Sequence, residues 1–196
     1  MKRLFDIVFA AIMLLLFSPL FILLACWIKL DSKGGIFFGQ ERVGLNGKCF
    51  KLWKFRTMRP QSEKGGQLTV GSTDSRITKA GYFLRKFKID ELPQLWNVVL
   101  GDMSVVGPRP EVPRYVALYT DEQSTVLSIR PGITDYASLR YFEESDLLAK
   151  SENPEETYIS EIMPSKLALN LEYVRKHSFV GDLAIILKTA LRIFKA

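Results

Sequence analysis

Residues 7–28 read IVFAAIMLLLFSPLFILLACWI, a run of 22 residues from Ile7 to Ile28 without a charge. At about 1.5 Å per residue, such a run makes a helix of roughly 33 Å, and a bilayer's hydrocarbon core is about 30 Å thick. Length alone therefore indicates one transmembrane helix. Two features indicate otherwise. Ser18-Pro19 stands in the middle, and proline removes a backbone hydrogen bond and crowds the turn before it. Lys2 and Arg3 precede the run while Lys29 and Lys33 follow it, whereas Lys and Arg favour the cytoplasmic side of a membrane. Two half-helices, Ile7–Phe17 and Leu20–Ile28, roughly 16 and 14 Å long, that enter and return to one side satisfy both features. A kinked spanning helix is the alternative. The Ser18 hydroxyl is placed to bond a carbonyl freed at the bend. A secretory signal peptide fits the basic start but lacks a small-x-small cleavage site.

The charge supports a surface-bound chain. Of the 196 residues, positions 1–60 hold ten Lys/Arg against three Asp/Glu, and the remainder hold seventeen against eighteen. The positive excess thus lies in and just after the apolar run, where it suits an anionic membrane surface or a phosphate-bearing substrate. No basic–aromatic repeat or nucleic-acid motif is visible, so nucleic acid is not expected as a partner. An apolar content of 47% excludes a disordered chain. Cys26 and Cys49 form neither a disulfide framework nor a metal spacing, and a reducing compartment fits them.

The rest of the pattern predicts an α+β fold that is mainly helical. A membrane segment over 1–30 precedes a compact domain over 31–196. Asn46-Gly47 between Glu41–Leu45 and Lys48–Phe55 is a hairpin signal, and alternation in the second strand puts Lys54 and Arg56 on one face. Residues 60–75 read as a mobile loop. Helices are expected over Ile77–Phe87, Asp90–Leu100, Glu111–Leu127 and Met163–His177. Over Leu183–Phe194 apolar residues recur at helical spacing, suiting an interfacial or a core-facing helix equally. This last helix also offers a surface for homo-oligomer formation.

Three groups carry chemistry. Asp90-Glu91-Leu92-Pro93 opens a helical pattern, and by spacing alone Asp90 reads as a helix N-cap. The other reading is a nucleophilic carboxylate beside one that binds a hard cation. In Gly107-Pro108-Arg109-Pro110, two prolines stiffen the chain around one arginine, which suits bidentate phosphate binding or a plain structural turn. Arg130-Pro131-Gly132-Ile133-Thr134 sets another arginine beside a rigid turn. His177 stands alone, so no histidine triad is available, and no P-loop or dinucleotide fingerprint is present.

These motifs occur in an order that carries a family likeness. Lys54-Phe55-Arg56-Thr57-Met58, Leu84-Arg85, Asp90 to Val98, Gly101 to Pro110 and Arg130 to Thr134 together resemble the small monotopic phosphoglycosyl transferases of the bacterial sugar transferase family. The apolar N-terminus with Ser18-Pro19 resembles that family's re-entrant membrane helix. The resemblance implies a monotopic protein on the cytoplasmic face of the bacterial inner membrane, in contact with membrane lipids. It implies a ping-pong reaction in which Asp90 attacks the sugar-linked phosphate of a UDP-sugar, UMP leaves, and polyprenyl phosphate takes the phosphosugar from the aspartate. Glu91 then corresponds to a Mg2+ ligand, and Arg85 and Arg109 to arginines that contact phosphate. Lys54, Arg56 and Arg130 are added here as further candidates for holding the substrate's anions. After Ile133-Thr134 the chain departs from the frequent family pattern, reading Asp135 to Tyr141. That leaves open whether Arg140 replaces a later family arginine, and it marks residues 135–145 as a candidate region for donor selection. Two other classes remain at this level: an Asp-nucleophile enzyme acting on lipid phosphates, and a non-enzymatic membrane anchor.

Overall fold

A computed structural model describes residues 1–60, 71 and 74–195. The apolar run forms two helices, α1 (Lys2–Leu16) and α2 (Ser18–Asp31), bent by 61° at Phe17. Pro19 supplies no N–H to the carbonyl four residues back, that of Leu15. The Ser18 hydroxyl donates to this same carbonyl at 2.8 Å, so the bend leaves no orphan there. Both helices begin earlier than the apolar pattern indicated, because the polar residues at the start of α1 are used. Asp6 is 2% exposed and accepts from the Ser104 hydroxyl at 2.8 Å and the Val105 N–H at 3.1 Å. Lys2 donates to Val106 O at 3.0 Å and to Asp182 at 2.6 Å, and Arg3 donates to Met103 O at 3.1 Å. The basic flank therefore binds protein as well as any surface. Asp6→Ala strands a buried hydroxyl and a buried N–H, and is expected to cost about 2–3 kcal/mol in denaturant unfolding. An unchanged midpoint would show that α1 is not anchored this way.

Strands β1 (Phe37–Val43) and β2 (Cys49–Phe55) pair antiparallel, with Val43 opposite Cys49 and Phe37 opposite Phe55. Asn46 and Gly47, at φ 54° and 76°, supply the left-handed turn expected of Asn-Gly. Helix α3 (Lys79–Lys86) is capped by Thr78, which accepts from the Gly81 N–H at 3.0 Å. A 3-10 turn (Ile89–Glu91) leads to α4 (Gln94–Leu100) and to β3 (Ser104–Val106). The single helix expected over Glu111–Leu127 is instead α5 (Pro113–Val116), α6 (Asp121–Ser124) and a 3-10 turn (Thr125–Ser128). Thr120 restarts the chain there with a reciprocal capping box to Gln123. Then follow β4 (Gly132–Thr134), α7 (Tyr136–Arg140), α8 (Glu144–Leu148), α9 (Pro154–Thr157), a π turn (Tyr158–Ile162), α10 (Met163–Lys176) and α11 (Phe179–Phe194). Of the loop expected over 60–75, residues 61–70, 72 and 73 lie outside the described residues.

β3 and β4 pair in parallel, a contact the sequence pattern did not indicate. One core joins Ala10 of α1, Leu52 of β2, Leu95 and Val98 of α4, Val105 of β3, Tyr173 of α10 and Ile185 of α11. A second forms under α5, α8 and α10 around Tyr115 and Tyr158, and a third sets α2 and α3 against Phe55. Asn97, fully buried, ties α4 to β2: its Oδ1 accepts from the Trp53 N–H at 3.0 Å and its Nδ2 donates to Lys51 O at 2.8 Å. This clamp fixes Lys54 of β2 relative to the turn before α4.

Candidate active site

Asp90 and Glu91 project from the 3-10 turn between α3 and α4. Lys88, just before them, sits at φ 54°, a region that side chains rarely adopt. Pro93 follows, and α4 starts only at Gln94 without a side-chain cap. Asp90 is therefore not the N-cap that its spacing indicated. It is buried, and its carboxyl has no hydrogen bond among the described residues.

Glu91 is held from two sides. Arg109 forks onto it, with Nη1 donating to Oε2 at 3.0 Å and Nη2 donating to Oε1. Lys54 Nζ donates to Oε1 at 3.0 Å. The Arg109 fork is aimed by its backbone. Its N–H donates to Asp135 Oδ2 at 3.0 Å, and Asp135, fully buried, also caps α7 through the Ser138 N–H at 2.6 Å. The sequence marks Asp135 only as the start of the segment that departs from the family pattern, not as the seat of Arg109; its N-cap position before Tyr136 was the available signal. Gly107 and Gly132 bring the two arginine motifs together. A Cβ on Gly107 would lie 2.5 Å from Arg130 O, and one on Gly132 would overlap the backbone of Gly107. The two glycine-proline motifs are thus one structure, the seat of Arg109.

The environments split the two carboxylates. Burial pushes Asp90 above its ordinary value; Lys54 opposes this, the Glu91 charge adds to it, and Arg85 opposes it more weakly. Burial acts on Glu91 as well, but Arg109 and Lys54 outweigh it and hold Glu91 well below the usual carboxylate range. Burial lowers the Lys54 ammonium against the pull of Glu91. Glu91 is thus fixed as the anion, and Asp90 is the more basic carboxylate of the pair.

Both carboxylates border a cavity of about 810 Å³, and Lys54, Arg85, Lys88 and Arg109 line it with them. Phe9 and Met13 of α1, Phe17 at the bend, and Ile186 and Ile193 of α11 give it an apolar wall. Arg56 is elsewhere. β2 ends at Phe55, and the Arg56 guanidinium donates to Ile28 O at 3.2 Å, Ser32 O at 2.7 Å and Lys33 O at 2.6 Å, closing the end of α2. It does not share a face with Lys54 at the site. Arg130 is exposed, donates to Gly101 O at 2.9 Å and does not line the cavity; exposed Arg140 does not line it either. Among the described residues, no group of three or more His, Cys, Asp or Glu is arranged to hold a metal.

The sequence profile described as "Bacterial sugar transferase" matches residues 1–196. The UDP-glucose:undecaprenyl-phosphate glucose-1-phosphate transferase of Escherichia coli (strain K12) is 36% identical over 198 residues, covering 99% of this chain and 40% of that protein. The exopolysaccharide production protein ExoY of Rhizobium meliloti (strain 1021) is 36% identical over 206 residues, covering 96% of this chain and 83% of that protein. The UDP-N-acetylgalactosamine-undecaprenyl-phosphate N-acetylgalactosaminephosphotransferase of Aeromonas hydrophila is 37% identical over 191 residues, covering 96% and 42%. The chain thus spans less than half the length of the first and third of these relatives. With the profile matched from end to end and identities at this level, the chain belongs to the bacterial sugar transferase family.

Proposed function

We propose that the chain transfers a phosphosugar from a UDP-sugar to a polyprenyl phosphate at the cytoplasmic face of a bacterial membrane. The observation that carries this is the split carboxylate pair on the cavity wall: Asp90 made basic by burial, next to a Glu91 neutralised by Arg109 and Lys54. Two relatives named for UDP-sugar and undecaprenyl phosphate support the substrate pair, and ExoY, named for exopolysaccharide production, supports the setting. Those two relatives, 36% and 37% identical, are named for different sugars.

In the first step an Asp90 carboxylate oxygen attacks the phosphorus that bears the sugar. The bond from that phosphorus to the bridging oxygen breaks, and UMP leaves with that oxygen and its electron pair. In the second step a phosphate oxygen of the polyprenyl phosphate attacks the same phosphorus. The Asp90–phosphorus bond breaks, and the carboxylate is restored. Arg85, Arg109 and Lys54 offset charge on the diphosphate as it redistributes. Mg2+ fits the donor set as an ion that arrives with the substrate: Asp90 and Glu91 offer hard oxygens, and such an ion takes its other ligands from phosphates and water. When bound, it supplies Lewis-acid stabilisation of phosphate charge; Glu91 is the residue that would hold it, beside Asp90.

Exposed apolar surface supports the seat at the membrane. No single helix among the described residues is long and apolar enough to cross a bilayer. Yet Leu15, Leu16, Ile22, Leu23 and Leu30 of α1–α2 and Val180, Leu187, Leu191 and Phe194 of α11 are exposed, Leu30 at 88% and Phe194 at 89%. A surface of this kind is stable only when covered, and the 61° bend between α1 and α2 supports a pair that enters one leaflet and returns to the same side. Cysteine labelling at positions 2 and 33 is expected to react from one side only.

The test of the reaction is incubation with labelled UDP-sugars and no lipid, expected to give a labelled protein and UMP; no adduct with any donor would overturn the covalent route. Lys54→Met is expected to move the acid limb of UMP release to higher pH. Lys54 lowers the Asp90 pKa, so without it the carboxylate form is lost at a higher pH as the solution is acidified. A limb that stays put or moves down would remove Lys54 from the electrostatics of Asp90.

A further inference from the structure

Two polar side chains on the cavity wall have no part in the phosphate chemistry. Asn170, on α10, is 5% exposed, and its Oδ1 has no hydrogen-bond partner among the described residues. The hydroxyl of Ser138, on α7, is buried and likewise has none. Both residues line the cavity that holds Asp90 and Glu91, and α7 and α10 pack against each other. Asn170 also borders the small space behind Arg109, Pro110 and Glu111. Ser138 gives its N–H to Asp135, the residue that holds the Arg109 backbone. The pair therefore sits beside the loop that aims Arg109. Gln94 has a similarly unpartnered carboxamide but does not line the cavity.

Buried polar atoms without partners are unfavourable, and native proteins retain few of them. A carboxamide offers an acceptor and two donors, a hydroxyl offers both roles, and neither carries charge. Such groups suit an uncharged, hydroxyl-bearing ligand. The cations of the site account for phosphate. In a UDP-sugar, the sugar is joined through its anomeric oxygen to the phosphorus that Asp90 attacks, whereas the nucleoside lies one phosphate further away. We infer that Asn170 and Ser138 read the hydroxyl or acetamido groups of the donor's sugar and so set which UDP-sugar is used. This rests on the phosphosugar-transfer reading above. On this reading the bound sugar supplies the partners that the two polar atoms lack.

The test uses the full chain, Asn170→Leu and Ser138→Ala, with undecaprenyl phosphate as acceptor and UDP-glucose, UDP-galactose, UDP-N-acetylglucosamine and UDP-N-acetylgalactosamine as donors. UMP release gives kcat and KM, UMP serves as a product inhibitor, and thermal melting reports the fold. In each variant the KM for the preferred donor is expected to rise about tenfold or more and the order of donors to change, while inhibition by UMP stays within twofold. The melting midpoint of Asn170→Leu is expected to equal or exceed that of the parent, since an unpartnered carboxamide is replaced by a similar apolar volume. An unchanged donor order overturns the inference. So does an equal weakening of UMP, which would move the pair to the nucleoside, and so does a lowered midpoint with uniform loss across donors, which would make the pair structural. A parent chain that releases UMP from no donor sinks the transfer reading itself, a result distinct from a parent with a donor order that the variants preserve.

Discussion

Asp90→Asn is expected to abolish the labelled adduct and to slow UMP release by about 10⁴-fold or more, while raising the thermal midpoint at neutral pH. The first effect follows from the loss of the attacking oxygen, since an amide forms no acyl phosphate under these conditions. The second follows from burial. The folded state raises the Asp90 pKa, so between the unfolded value and the folded one the native chain binds more protons than the unfolded chain. Stability therefore falls as pH rises through that window, and above it the full penalty of the buried charge remains. Asparagine removes the charge and the penalty. For a chain of this size each kcal/mol relieved is worth about 2–4 °C, and the gain should vanish at a pH below the window. A variant that keeps more than about one-hundredth of the adduct-forming rate would rule out Asp90 as nucleophile. A midpoint that drops would show that the carboxylate contributes to stability rather than opposing it.

Gly132→Ala is expected to be strongly disruptive for so small a change. The added methyl overlaps the backbone of Gly107, and neither side can yield by turning a side chain. The short parallel pair must open, at a cost of roughly 3 kcal/mol at the upper end of overpacking effects. Because Arg109 follows Gly107 by two residues, its fork should leave Glu91. A shift of about 1 Å at a positioning group is worth on the order of 100-fold in rate. Denaturant unfolding and UMP release should therefore fall together. Native stability in Gly132→Ala would mean that the two motifs are not packed as described.

Local signals were legible where one residue type has one physical outcome. Pro19 with Ser18 gave the bend, and Asn46-Gly47 gave the hairpin turn. Met163–His177 gave α10 to within a residue, and Leu183–Phe194 gave α11 from its second turn onward. Signals with two outcomes misled. An Asp before an apolar pattern reads as a cap, yet Lys88 in a left-handed conformation and Pro93 turned Asp90 into a cavity residue. An arginine beside a turn serves a phosphate or a carbonyl equally well; Arg109 reached the cavity, whereas Arg56 and Arg130 went to carbonyls. Long-range pairs gave no local sign. Asp6 with Ser104, and Asp135 with the Arg109 backbone, join residues far apart in the chain.

The Arg109–Glu91 fork has a consequence for selectivity. Glu91 is a tethered competitor for the guanidinium, present at high effective concentration. A stray inorganic phosphate gains from Arg109 only the difference between its own attraction and that of the carboxylate it displaces. A ligand that brings several anionic oxygens and further contacts along the cavity can win this exchange, and a lone anion gains little. On the proposed reaction, the arginine is thereby kept from capturing small cellular anions between turnovers, and departing UMP would face a carboxylate ready to reclaim its place.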